Sequence, residues 1–123
     1  MPHFILEYSN NVCDKPTAGE FFSKLHTLLG SLGPFQLSAM KSRIVKRKEY
    51  CVSDGTKNQA FVHLELSILS GRDEETKARV SKRLLQLLRD PFPETAETMN
   101  CSFSVEVRDI ESSSYSKESS GEL

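Results

Sequence analysis

The chain has 123 residues, 37% of them hydrophobic, which fits one globular domain with a modest core. Its 16 basic and 17 acidic residues leave a net charge of −1, so no global field draws it to nucleic acid or to a membrane surface, and any charge specificity must be local. No apolar run approaches the roughly 18 residues of a membrane span, no basic and hydrophobic leader opens the chain, and Cys13, Cys51 and Cys101 are too widely spaced for a disulfide framework or a zinc site, so a cytoplasmic protein with ordinary thiols and no metal is expected.

Proline at position 2 stands directly behind Met1. Removal of Met1 leaves a secondary amine on a rigid ring, and burial near cations lowers the pKa of such an amine toward neutrality, as a general base requires. Pro2 to Ser9 reads as a strand that begins at once, so the amine is expected at a sheet end rather than on a loose tail. Thr17 and Glu20 have capping-box spacing, and Phe21, Phe22, Leu25, Leu28, Leu29 and Leu32 recur with a helical period that stops at Gly30 to Gly33. Lys41 to Val52 reads as a second strand closed by the turn Ser53-Asp54-Gly55. Ala60 to Leu69 is a third, with Val62, Leu64, Leu66 and Ile68 on one face. Asp73 is a candidate N-cap for a second helix, whose stripe of Val80, Leu84, Leu87 and Leu88 ends at Asp90-Pro91. Phe103, Val105 and Val107 alternate in a fourth strand, Cys101 to Ile110, which closes a single domain over 1–110; residues 111–123 form a Ser/Glu/Lys tail expected to be mobile.

The two halves, about 2–52 and 60–110, read as copies of one strand-helix-strand unit. The fold class is therefore α/β of the α+β kind: two βαβ repeats in a four-stranded mixed sheet, with right-handed crossovers placing two helices on one face. The opposite face has nothing left in the chain to cover it, which points to association through the sheets.

Arg72 follows the third strand and precedes a helix N-terminus, where backbone N–H groups and the helix dipole favour an anion such as a carboxylate; it also reads as a solvated loop residue. In the basic run Lys41 to Lys48, alternation puts Lys41, Arg43 and Arg47 on one face and Lys46 and Lys48 on the other. Lys41 and Arg43 are the candidates there for a second carboxylate contact, and the rest reads as a solvated edge. His63, opposite the apolar face of its strand, reads as a hydrogen-bonded structural histidine.

Met1-Pro2-His3-Phe4-Ile5 with Glu7 and Ser9, then Ser42-Arg43, Asp54-Gly55, Ala60-Phe61-Val62-His63 and Gly71-Arg72, resemble the 5-carboxymethyl-2-hydroxymuconate delta-isomerase family of the tautomerase superfamily, from Pro2 to about Phe92. Gly71-Arg72-Asp73-Glu74 is also similar to 4-oxalocrotonate tautomerase. The resemblance implies a tautomerase fold, a homotrimer with active sites at subunit boundaries, and cofactor-free catalysis by the N-terminal proline. It further implies that Arg72 binds a substrate carboxylate, and that Lys41 stands where relatives tend to carry arginine, keeping the charge but losing the bidentate fork.

The implied chemistry is a 1,3-proton transfer in a dienol bearing two or three carboxylates, with neutral Pro2 taking the 2-hydroxyl proton and returning it to carbon, in the catabolism of aromatic compounds such as homoprotocatechuate. No dinucleotide fingerprint, P-loop or metal-ligand cluster is present in the sequence, so no cofactor is expected. Two other readings stay open. The sheet with its basic strand can serve as an RNA-binding or protein-interaction module, although its aromatics stand singly without a stacking pair. A tautomerase-fold signalling protein without physiological isomerase activity, similar to macrophage migration inhibitory factor, is the other.

Overall fold

The computed structural model describes residues 1–121. Strand β1 (His3–Ser9) leads into helix α1 (Ala18–Ser31), and β2 (Lys41–Arg47) follows after a single 3-10 turn at Leu37–Ala39. The unit then repeats as β3 (Gln59–Leu69), α2 (Glu74–Leu88) and β4 (Asn100–Ile110), with a short helix α3 (Pro93–Thr98) inserted before β4. The strands lie in the order β2-β1-β3-β4. Pairs β1–β2 and β3–β4 are parallel, and the two units meet along an antiparallel seam where Leu6 faces Leu64.

Alternation decides which face is buried. Phe4, Leu6 and Tyr8 of β1 and Val62, Leu64, Leu66 and Ile68 of β3 are almost fully buried, packed against Phe22, Leu25 and Leu29 of α1 and Val80, Leu84 and Leu88 of α2. Each such side chain contributes about 1.5–3 kcal/mol relative to exposure. The other face carries His3, Ile5, Glu7, Phe61, His63 and Glu65, flanked by Arg43 and Arg47 of β2 and by Ser104, Glu106 and Arg108 of β4. It is crossed by ion pairs rather than by a second layer: Glu7 with Arg47, and Arg108 with both Glu65 at 3.1 Å and Glu106 at 3.5 Å. His63 is hydrogen-bonded to Ser104 Oγ at 2.6 Å, the structural role its position suggested.

Three features depart from the sequence reading. Strand β2 stops at Arg47 instead of continuing to Val52. Its partner β1 ends at Ser9, where Asn10 N–H donates to Arg47 O at 2.9 Å, so residues 48–52 have no neighbouring strand to pair with. Thr17 caps α1 by position but makes no side-chain capping bond; the first turn closes on backbone alone, with Phe21 N–H donating to Thr17 O at 3.1 Å. Asp73, in contrast, accepts the Thr76 N–H at 2.8 Å and starts α2 as expected. The third departure is α3, which the sequence reading left as connection. Pro93 sits in its first turn, and the Asp14 carboxylate accepts the N–H groups of Glu94 at 3.3 Å and Thr95 at 2.8 Å. Those bonds hold the Asp14 carboxyl below its ordinary pKa, against the opposing effect of burial.

Candidate active site

The antiparallel seam sets the site's position. Because β3 runs against β1, the segment that leaves β3 arrives beside the residue that enters β1, so Gly71 and Arg72 come to the Pro2 end of the sheet. Because β2 runs parallel to β1, its first residue starts at that same end, and Lys41 N–H donates to Pro2 O at 3.0 Å. A hollow forms there, lined by Met1, Pro2, Pro34, Phe35, Gln36, Ala39, Arg72 and Lys117. Pro2 itself is buried at this sheet end.

Arg72 is held from several sides. Its guanidinium carbon lies 4.2 Å from the centre of the Phe35 ring. Its terminal nitrogens donate to Leu69 O at 3.3 Å and Pro34 O at 3.5 Å. Its Nε is buried and has no hydrogen-bond partner among the described residues. A buried donor without an acceptor costs roughly 1–3 kcal/mol, a cost carried by a residue that lines the hollow. Glycine at 33 makes the platform possible: a Cβ there would sit 3.3 Å from Phe35 Cε2, tight enough to push the ring.

The sequence candidates separate in the structure. Pro2 and Arg72 share the hollow. Lys41 lies at its margin, with Nζ donating to Ala39 O at 3.0 Å. Arg43 lies outside it, on the uncovered face, where it donates to His3 Nδ1 at 3.3 Å. The opposite nitrogen of His3 is 3.4 Å from the Tyr115 hydroxyl, and burial followed by Arg43 and Lys41 lowers the His3 pKa. The Met1 amine is likewise shifted down, first by burial and then by the charges of Lys117, Arg72 and Lys41. Phe35 and Lys117 were not singled out from the sequence. Phe35 follows Gly33-Pro34 in a loop without periodicity, and Lys117 sits in a polar tail that offers no pattern; the order Gly-x-x-Gly-Pro-Phe after an apolar helix was the only available hint for the former.

Two βαβ units joined along an antiparallel seam, with the first strand's proline facing an arginine from the second unit, define a protein of tautomerase fold. The chain belongs to the 5-carboxymethyl-2-hydroxymuconate isomerase family, whose sequence profile matches residues 2–120, and it is an isomerase. It is 29% identical over 110 residues to 5-carboxymethyl-2-hydroxymuconate Delta-isomerase of Escherichia coli, covering 89% of this chain and 87% of the relative. The crystal structure of a 5-carboxymethyl-2-hydroxymuconate isomerase from Deinococcus radiodurans R1 superposes with a TM-score of 0.84 at 30% identity, covering 95% of this chain and 88% of that one. A fused 4-OT wild-type symmetric trimer shares the fold at a TM-score of 0.67 and 15% identity, over 89% of this chain and 85% of that one. No helix among the described residues is long and apolar enough to cross a membrane.

Proposed function

We propose that this protein is a cofactor-independent isomerase of 2-hydroxymuconate-type dienol carboxylates, with the Pro2 amine as proton carrier and Arg72 and Lys41 as the cations that hold substrate carboxylate. The substrate assigned is 5-carboxymethyl-2-hydroxymuconate, the compound in the name of the family and of the E. coli relative, within the breakdown of aromatic compounds. The observation that carries this reading is the burial of Pro2 in the same hollow as Arg72, whose Nε lacks a partner among the described residues.

Removal of Met1 turns the Pro2 peptide nitrogen into a terminal amine at the wall of the hollow. Before that removal, burial and then the charges of Lys117, Arg72 and Lys41 lower the pKa of the Met1 amine beside it; the same surroundings favour the neutral form of a Pro2 amine, the form that accepts a proton. The amine takes the proton of the 2-hydroxyl, the O–H bond breaks, and the double bonds shift as C2 becomes a ketone. The prolinium then gives the proton to a carbon of the conjugated chain, forming a C–H bond and the 2-oxo-enoate. Positioned proton transfer of this kind contributes roughly 10² to 10⁴ in rate. Arg72 supplies orientation and stabilises the developing oxyanion.

The assembly assigned is a trimer through the uncovered sheet face, with each hollow completed at a subunit boundary. Among the described residues no second sheet covers that face, and a trimer of the same fold exists among the structural neighbours. Arg43, on that face, is then placed to serve a neighbouring subunit's hollow.

Intact mass of the purified protein followed by kinetics of Pro2→Ala tests the mechanism. Loss of Met1 is expected, and Pro2→Ala should lower kcat/KM toward the dienol by at least about 10² while circular dichroism stays native. Wild-type turnover in Pro2→Ala, or Met1 retained in active enzyme, removes the proposed base.

A further inference from the structure

We propose that Lys117, in the C-terminal segment, is a substrate-carboxylate contact that sets specificity for dienols with a second carboxylate, and that the segment is strapped across the sheet end to deliver it. This rests on the isomerase reading of the hollow. The chain after β4 is fastened at two places. Ser112 is bonded to Ser70: its N–H donates to Ser70 Oγ at 3.2 Å, and the two hydroxyls are 2.9 Å apart. Tyr115 then sets its hydroxyl 3.4 Å from His3 Nε2, with the rings edge to face at 6.5 Å. His3 is in turn fixed from its other nitrogen by Arg43. Two residues past Tyr115, Lys117 joins Pro2 and Arg72 in lining the hollow.

The arrangement has a chemical logic. Arg72 is tied by backbone carbonyls and by the Phe35 ring, so it presents one fixed cationic edge. Lys117 adds a second cation, a compact ammonium on a flexible stem that can follow a carboxylate at variable distance. Among the charges acting on the Met1 amine, which also lines the hollow, Lys117 has the largest effect, in keeping with its place there. The two cations that line the hollow, Arg72 and Lys117, suit an anion with carboxylates at separate positions, whereas a monocarboxylate satisfies Arg72 alone. Tyr115 and Ser112 act as positioning residues for Lys117, since neither lines the hollow.

The test uses the full-length protein with Met1 processed, as wild type, Lys117→Gln and Lys117→Arg. Isothermal titration calorimetry with adipate, a six-carbon dicarboxylate, and with hexanoate, its monocarboxylate counterpart, reads the anchor without turnover. Lys117→Gln is expected to weaken adipate about tenfold and to leave hexanoate unchanged, and Lys117→Arg should stay within about twofold of wild type. Equal loss for both ligands, or no loss for adipate, overturns the assignment, as does a wild type that fails to distinguish the two. Kinetics with 2-hydroxymuconate adds a second readout: KM should rise in Lys117→Gln while kcat changes less than about threefold. If adipate binding depends on Lys117 but the wild type turns over no dienol, the anchor stands and the isomerase substrate is wrong. If the dienol is turned over with an unchanged KM in Lys117→Gln, the isomerase reading stands and the anchor falls.

Discussion

Arg72 rests on Phe35, guanidinium over ring at 4.2 Å, and the residue that carries the ring also closes the edge of the core, where it is 6% exposed. Binding and stability therefore meet in one side chain. Phe35→Ala should cost about 3 kcal/mol of unfolding free energy, the low end for truncating a phenylalanine, because the ring lies at the core's margin. Phe35→Leu keeps most of the burial and removes the cation-π contact, worth about 1 kcal/mol, so stability should fall only slightly while KM rises several-fold. Urea unfolding and steady-state kinetics on the two variants separate these effects. A Phe35→Leu enzyme with wild-type KM would show that the ring does not orient Arg72.

The Met1 amine is shifted down by burial and by Lys117, Arg72 and Lys41, and a Pro2 amine in the same surroundings, shifted the same way, sets the acid limb of the rate profile. A base must be neutral to act, so kcat/KM should rise with pH through the pKa of the amine, and cations that lower that pKa move the limb to lower pH. Arg72→Gln removes one of the three cations. Its limb should move to higher pH, in addition to the expected loss of rate. A limb that stays in place, measured at saturating and at low substrate, would mean that another group carries the proton.

Lys41 offers a gain-of-fit test. Its Nζ is spent on Ala39 O, and its backbone pairs with Pro2. Arginine at this position brings a fork that engages a carboxylate with two bonds. Lys41→Arg should keep or raise kcat/KM for 5-carboxymethyl-2-hydroxymuconate, and a drop of more than about tenfold would show that the site is fitted to the ammonium.

His26, which does not line the hollow, links pH to stability. It lies on α1 between Phe4, with rings 5.7 Å apart, and Ser42, whose Oγ is 2.5 Å from Nε2. Burial lowers its pKa from the usual 6.5. A depressed value means that the folded state binds fewer protons than the unfolded one, so the stability is present above pH 6.5 and is lost as pH falls through the lowered folded value. His26→Gln should show a smaller drop in urea midpoint between about pH 7.5 and about pH 5. His3 is shifted the same way, so the dependence should shrink without vanishing. An unchanged drop would place the acid sensitivity elsewhere.

The parts of this fold that depend on one segment's own pattern were legible in the sequence. The alternation of Val62, Leu64, Leu66 and Ile68 named the buried face of β3, and Asp73 marked the start of α2. What depends on a neighbour was not. The length of β2 is set by where β1 ends, and α3 has only six residues, too few for a helical period to emerge. The site divides along the same line. Pro2 and Arg72 announced themselves by type and by position at element ends. Phe35 and Lys117 reach the hollow only through tertiary placement, one from an irregular loop and the other from a polar tail tied down by Ser70 and His3.

Duplication with an antiparallel seam also makes two ends that began as equals. At the far end, the place that Arg72 holds after β3 is taken after β1 by a segment carrying Asp14, of opposite sign, and its carboxylate is consumed in capping α3, while Thr95 Oγ accepts the Cys13 N–H at 2.9 Å. Ala60, the counterpart of Pro2, is an ordinary mid-chain residue with a peptide nitrogen on either side. The polarity of the far end is thus inverted, and the two ends differ in charge though the architecture is nearly symmetric. Substitution of Asp14 should therefore disturb the seating of α3 and leave the hollow at the Pro2 end unchanged.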